Sequence, residues 1–133
     1  MSAADPLLAT IPGAESRELA GIQIDIVRAG AARVKRMIYP PGFRWSTDIK
    51  PLVCTDLCMH AHVGFLARGR IDVQYADGCI ASFAAPSVVS VDPGHDAWIV
   101  GDQPAVLIEF DFEAETVSRM GVPESHHHAE AFR

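Results

Sequence analysis

The sequence predicts an all-β fold, an antiparallel sandwich or small barrel. Two observations carry this. Seven to nine short apolar runs of period two recur along the chain, with turn signals every eight to twelve residues. Helix-forming sequence is confined to the two ends, so short terminal helical segments are the only helix expected. Met1 to Gly13 mixes Ala, Pro and Gly with charge and reads as a loosely ordered arm, and Ala14 to Ala20 holds at most a short helix. Ile22, Ile24 and Ile26 then alternate with Gln23 and Asp25, the pattern of a half-buried strand. Arg33 to Tyr39 is a weaker strand that ends at Pro40-Pro41-Gly42. His60 to Ala67 and Arg70 to Tyr75 are strands separated by Gly69. Asp77-Gly78 is a hairpin turn from which Cys79 to Phe83 returns. Ser87 to Val91, Ala97 to Val100 and Ala105 to Phe112 follow, divided by Asp92-Pro93-Gly94 and Gly101-Asp102-Gln103-Pro104. Glu113 to Met120 reads as a short helix ended by Gly121-Val122-Pro123. The organisation is one domain: an arm over 1–20, a barrel over 21–113, and a helix and tail over 114–133.

Composition fits this. The chain has 133 residues, 49% of them apolar, enough for one core without staples. Its 17 acidic residues exceed its 11 basic ones, a net charge of -6 that disfavours nucleic acid and anionic membranes as partners. No apolar run is long enough to cross a membrane as a helix, and the early Asp5 does not suit a secretory signal. The three cysteines, Cys54, Cys58 and Cys79, are an odd number, which points to reduced thiols and a cytoplasmic location.

The densest chemistry lies in Cys54-Thr55-Asp56-Leu57-Cys58-Met59-His60-Ala61-His62. In a strand, Cys58, His60 and His62 share one face, with Asp56 and Cys54 in phase behind them. Thiolate and imidazole suit zinc, iron, nickel and copper. Set against this is a plain core role for any one of them, a hydrogen-bonded histidine or a buried thiol. A Pro-Gly turn delivers His95 to the start of another strand, where it is a candidate ligand. Asp96 beside it either orients an imidazole or caps the turn. Ser125-His126-His127-His128 reads as a solvated tail rather than a metal tract. The alternate face of Met59, Ala61, Val63 and Phe65 is apolar and suggests a homodimer.

These segments resemble the cupin superfamily, small β-barrels of jelly-roll topology. His62-Val63-Gly64-Phe65-Leu66-Ala67-Arg68-Gly69 followed by Arg70-Ile71-Asp72-Val73 is similar to the first cupin motif, and Asp92-Pro93-Gly94-His95 to the second. A small single-domain subgroup is resembled further by Pro41-Gly42-Phe43-Arg44-Trp45-Ser46, by Cys58 three intervening residues before His62, and by Gly94-His95-Asp96-Ala97-Trp98. The resemblance spans residues 33 to 112 and implies a cupin-type jelly-roll β-barrel. The usual three-His, one-Glu set is absent. Counted from Gly69, the Glu position falls on His62, the second His on Cys58 and the first on Asp56. The second motif's His position falls on Ala97, two residues beyond His95.

The resemblance therefore implies a replacement metal set of Cys58, His62 and His95, with His60 or Asp56 as a fourth member. Zinc suits a thiolate best, with iron, nickel or copper open. His60, when not a ligand, is the expected general base. Arg44 is expected to hold a substrate carboxylate or to form a surface salt bridge, and Trp45, Phe65 and Trp98 to wall the pocket. The expected activity is that of an isomerase, cyclase, lyase or oxygenase on a small organic substrate. The alternative is a metal-free, non-catalytic sensor or binding module.

Overall fold

The computed structural model describes residues 5–111. Among these residues nine strands are formed: β1 (Glu15–Leu19), β2 (Ile22–Ala29), β3 (Ala32–Tyr39), β4 (His62–Arg68), β5 (Arg70–Tyr75), β6 (Ile80–Ala84), β7 (Ser87–Val91), β8 (His95–Ile99) and β9 (Ala105–Asp111). One sheet has the order β1-β2-β3-β9-β4-β7, and a three-stranded sheet has the order β6-β5-β8. Every pairing is antiparallel. The two sheets face each other as a jelly roll. Leu66, Val89, Val91 and Leu107 of the larger sheet form one core with Ile71, Val73, Tyr75 and Ile99 of the smaller. No helix among the described residues is long and apolar enough to cross a membrane.

Three sequence expectations change. Ala14 to Ala20 does not form a helix: Glu15–Leu19 is β1, so the sheet begins before the expected boundary at residue 21. Ala20 and Gly21 both have positive φ, 52° and 84°, and make the tight turn that folds β1 back on β2. That turn overrides the weak helical preference of the segment. Next, β4 begins at His62 rather than His60, because its partner β7 ends at Val91 where the Asp92-Pro93-Gly94 turn starts. Finally, a short helix α1 (Trp45–Asp48) follows Arg44. It is held from a distance, since Asp96 Oδ1 accepts the Ser46 N–H at 3.0 Å. The expected C-terminal helix over Glu113 to Met120 and the histidines 126–128 lie outside the described residues.

Two features fix the sheet around the site. Gly64 sits opposite Glu109, and a Cβ there would lie 2.0 Å from the Ile108 carbonyl oxygen. Only glycine lets β4 and β9 approach this closely. Behind β2 and β3, Asp25 and Arg36 form a buried pair, with Nη2 to Oδ2 at 2.8 Å and Nε at 3.1 Å. Ser16 donates to Asp25 at 2.7 Å, and Arg36 Nη1 reaches the Ala9 carbonyl at 2.7 Å, which ties the N-terminal segment to the sheet.

Candidate metal centre

Cys58, His62 and His95 meet although they come from three places in the chain. His62 opens β4 and His95 opens β8. Cys58 lies in the loop before β4 and reaches the site through an isolated antiparallel bridge to His95. Its N–H donates to the His95 carbonyl at 2.7 Å, and its carbonyl accepts from Gly94 at 2.7 Å and His95 at 3.1 Å. The donor atoms of the three side chains all lie within 4.8 Å of one another. This is the set the sequence proposed, but Cys58 joins by a bridge rather than by strand alternation.

The imidazoles are oriented. His95 is buried and donates from Nδ1 to the Asp92 carbonyl at 2.7 Å, which leaves Nε2 for the site. Asp92 is fixed in turn, its N–H donating to the Tyr75 hydroxyl at 3.1 Å. His62 holds Glu109 Oε1 through Nδ1 and turns Nε2 to Cys58 Sγ at 3.8 Å. The two rings are edge-on, with centroids 5.2 Å apart. A histidine that spends Nδ1 on a carbonyl or carboxylate and keeps Nε2 free is the arrangement found at metal sites.

The electrostatics agree. Burial alone would push the Cys58 thiol up, but hydrogen bonds from His62 and His95 outweigh it and bring the pKa down from 9.0 to about 5. Burial would push His62 down, but the Glu109 carboxylate and the Cys58 thiolate raise it to about 10. Burial opposes the charge on Glu109, yet His62 and Lys35 hold its pKa below the ordinary value. The site is thus a chain of thiolate, imidazolium and carboxylate. A soft anion and two oriented imidazoles fit a divalent metal, which would displace the shared proton.

Other expected residues divide. His60 lines the same cavity, with its ring centroid 6.0 Å from His62, but is not one of the three clustered donors. Burial, then the neighbouring His62, lower its pKa. Asp56 is not a ligand: its side chain is 99% exposed and faces Lys50 at 3.7 Å. Trp45 and Trp98 line the cavity. Phe65 does not. It alternates with the inward Gly64 and Leu66, is 41% exposed, and lies on the outer face of the sheet. Arg44 is outside the cavity lining and takes the salt-bridge role, pairing with Asp96 at 3.2 Å and stacking 4.2 Å above the Trp98 ring. Asp96 orients no imidazole; it holds α1 and Arg44 instead. Met59, read from sequence as part of the outer face, lines the cavity.

Glu109 was not anticipated. Its signal is an acid in phase with Leu107 inside the apolar run of β9. Lys35, 3.6 Å from Glu109, and Tyr39 also face the cavity. The cavity measures about 600 Å³ and lies between the sheets, with largely apolar walls and the Cys/His cluster in its lining.

No protein-family model matches the chain, and no curated protein matches it. Solved structures do. A cupin 2 conserved barrel domain protein from Salinispora arenicola aligns with a TM-score of 0.56 at 16% identity, covering 90% of this chain and 98% of its own. An RmlC-like cupin from Shewanella frigidimarina aligns with a TM-score of 0.53 at 16% identity, covering 77% and 86%. The oxalate decarboxylase of Lactobacillus farciminis, in a formate complex, aligns with a TM-score of 0.54 at 18% identity, covering 83% of this chain and 33% of its own. At these identities the likeness is one of fold.

Proposed function

The chain is a cupin-type jelly-roll barrel, and from that premise we propose that it binds one divalent metal ion on Cys58, His62 and His95 and acts there on a small organic substrate. The observation that carries this is the donor cluster itself: three soft or borderline donors within 4.8 Å, each imidazole oriented by an oxygen acceptor. A thiolate with two imidazoles favours zinc over harder ions. Three protein donors leave a coordination position open. When bound, the metal supplies Lewis acidity toward a substrate oxygen.

The chain's own groups do the rest. Glu109 fixes the orientation of His62, and Asp92 that of His95. In this reading His60, which lines the cavity outside the donor cluster, takes or returns a proton as general base. Isomerase, cyclase and lyase chemistry all suit this set, and an oxygenase would need a redox-active metal such as iron or copper in place of zinc.

A second reading has one observation in its favour. Cys58, His62 and Glu109 also stand in the order of a nucleophile, a base and an orienting acid. Metal analysis of freshly purified protein separates the two. The metal reading expects about one ion per chain, lost in Cys58→Ser and His62→Ala while the β-sheet circular dichroism is kept. Metal-free protein, with Cys58 rapidly alkylated by iodoacetamide at pH 6, would overturn it in favour of the thiolate.

A further inference from the structure

The cavity lining has two unlike parts, and the contrast specifies its ligand. One part is the Cys/His cluster with Glu109. Most of the remaining wall is hydrocarbon and aromatic, including Met37, Phe43, Trp45 and Val73. At the mouth, Leu19, Val53 and Met59 line the same cavity while 44%, 44% and 56% exposed. An apolar rim in water favours apolar cargo over a polar ligand.

Charge narrows the class further. Lys35 is the only lysine or arginine lining the cavity among the described residues, and it faces Glu109 at 3.6 Å and Asp111 at 3.7 Å. Arg44, expected from sequence to hold a substrate carboxylate, lies outside the lining and pairs with Asp96. A phosphate or a second carboxylate would find no uncommitted cation. Among the described residues only Tyr39 and Thr55 bring hydroxyls to the lining, so a sugar's several hydroxyls would find too few partners there. The volume lies within the range of pockets that enclose drug-sized molecules.

We infer that the ligand is a largely apolar molecule, aromatic or branched, with a single oxygen-bearing head. The head sits at Cys58, His62 and His95, and the body lies against the walls. The seat of the head rests on the proposed metal reading; the apolar body does not.

The test is fluorescence titration of the full chain with 1-aminoanthracene, a neutral apolar probe, in metal-free and zinc-loaded protein. Saturable binding of about one probe per chain is expected in both states. In the zinc-loaded protein, 2-naphthol should displace the probe at a concentration at least tenfold below naphthalene, with the gap closing when zinc is removed. Citrate and glucose 1-phosphate should not displace it. Ala97→Trp, which fills the cavity, should weaken the probe at least tenfold. Met59→Glu changes an exposed rim residue and should weaken it several-fold even where Ala97→Trp does not fold. Zinc uptake is measured in parallel with a chelating indicator. Zinc binding without probe binding, or displacement by citrate or the sugar phosphate, overturns the ligand class and leaves the metal reading standing. Probe binding without zinc uptake overturns the metal reading and the seat of the head, and leaves the apolar class standing.

Discussion

Glu109→Gln tests the metal centre at a buried supporting group. Glu109 is 3% exposed and holds His62 Nδ1, so the substitution replaces a carboxylate by an amide of the same shape in a nearly dry setting. The amide oxygen can still accept from Nδ1, so the hydrogen bond survives and its charge is lost. A charge-assisted hydrogen bond contributes ~1.5–3 kcal/mol against ~0.5–1.5 kcal/mol for a neutral one. The difference, about 1–1.5 kcal/mol, corresponds to a roughly five- to thirteenfold loss of metal affinity. Glu109→Ala removes the acceptor as well and should cost roughly 10- to 100-fold, the usual loss for a group that supports a ligand. Lys35 keeps Asp111 at 3.7 Å in either variant, so its own burial confounds the result little. Competition for zinc against a chelator of known affinity gives the numbers, and circular dichroism checks the fold. Zinc affinity within twofold of the parent in both folded variants would refute the role given to Glu109.

Further outcomes follow from the same contacts. Metal-free protein should show a stability plateau between about pH 6.5 and 9. His62, raised to about 10, contributes fully below its unfolded value of 6.5 and loses its contribution as pH rises toward 10. Cys58, lowered to about 5, contributes fully above 9.0 and loses its contribution as pH falls toward 5. The two losses offset each other on the plateau, so stability falls from pH 6.5 to 5 and again from 9 to 10, as urea melts across pH would read. Gly64→Ala should destabilise by about 1–3 kcal/mol, because its Cβ meets the Ile108 carbonyl; a thermal melt unchanged within a degree would count against the close β4–β9 approach. Asp25→Ala leaves Arg36 buried and unpaired and should cost about 3–5 kcal/mol in urea unfolding, whereas replacing both by apolar residues should recover much of it. Phe65 and Val88, directly opposed on the outer sheet face and 41% and 74% exposed, suit the pairing with a second chain that the sequence suggests. Sedimentation showing a monomer at micromolar concentration would count against that pairing.

Much of this was legible in the residues. Period-two alternation and turn signals located β2 to β9, because side-chain parity decides which face of a strand is buried. Cys58, His62 and His95 were legible as a set. The route that unites them was not, since a bridge between Cys58 and His95 depends on where the Asp92-Pro93-Gly94 turn ends β7. The same displacement leaves His60 and Asp56 out of the donor cluster. Phe65 was misplaced against the parity rule itself, because it is out of phase with Gly64 and Leu66. Glu109 and Lys35 were missed because their parts depend on β3, β9 and β4 being neighbours, which is long-range pairing that local pattern does not specify. The strand β1 hid behind residues of poor strand propensity and is formed by its turn.

Consecutive residues of β8 serve different masters. His95 turns into the donor cluster, while Asp96 holds the start of α1, whose Trp45 is part of the cavity wall. One peptide bond therefore separates the group that would grip a metal from the group that anchors the wall. If a metal binds as proposed, a molecule that displaces Trp45 should bear on Asp96 through α1 and so on the residue next to His95. A spectroscopic metal such as cobalt in the centre would act as a strain gauge for what fills the barrel, and Asp96→Asn, which keeps an acceptor but loses the pair with Arg44, would soften the gauge without touching a ligand.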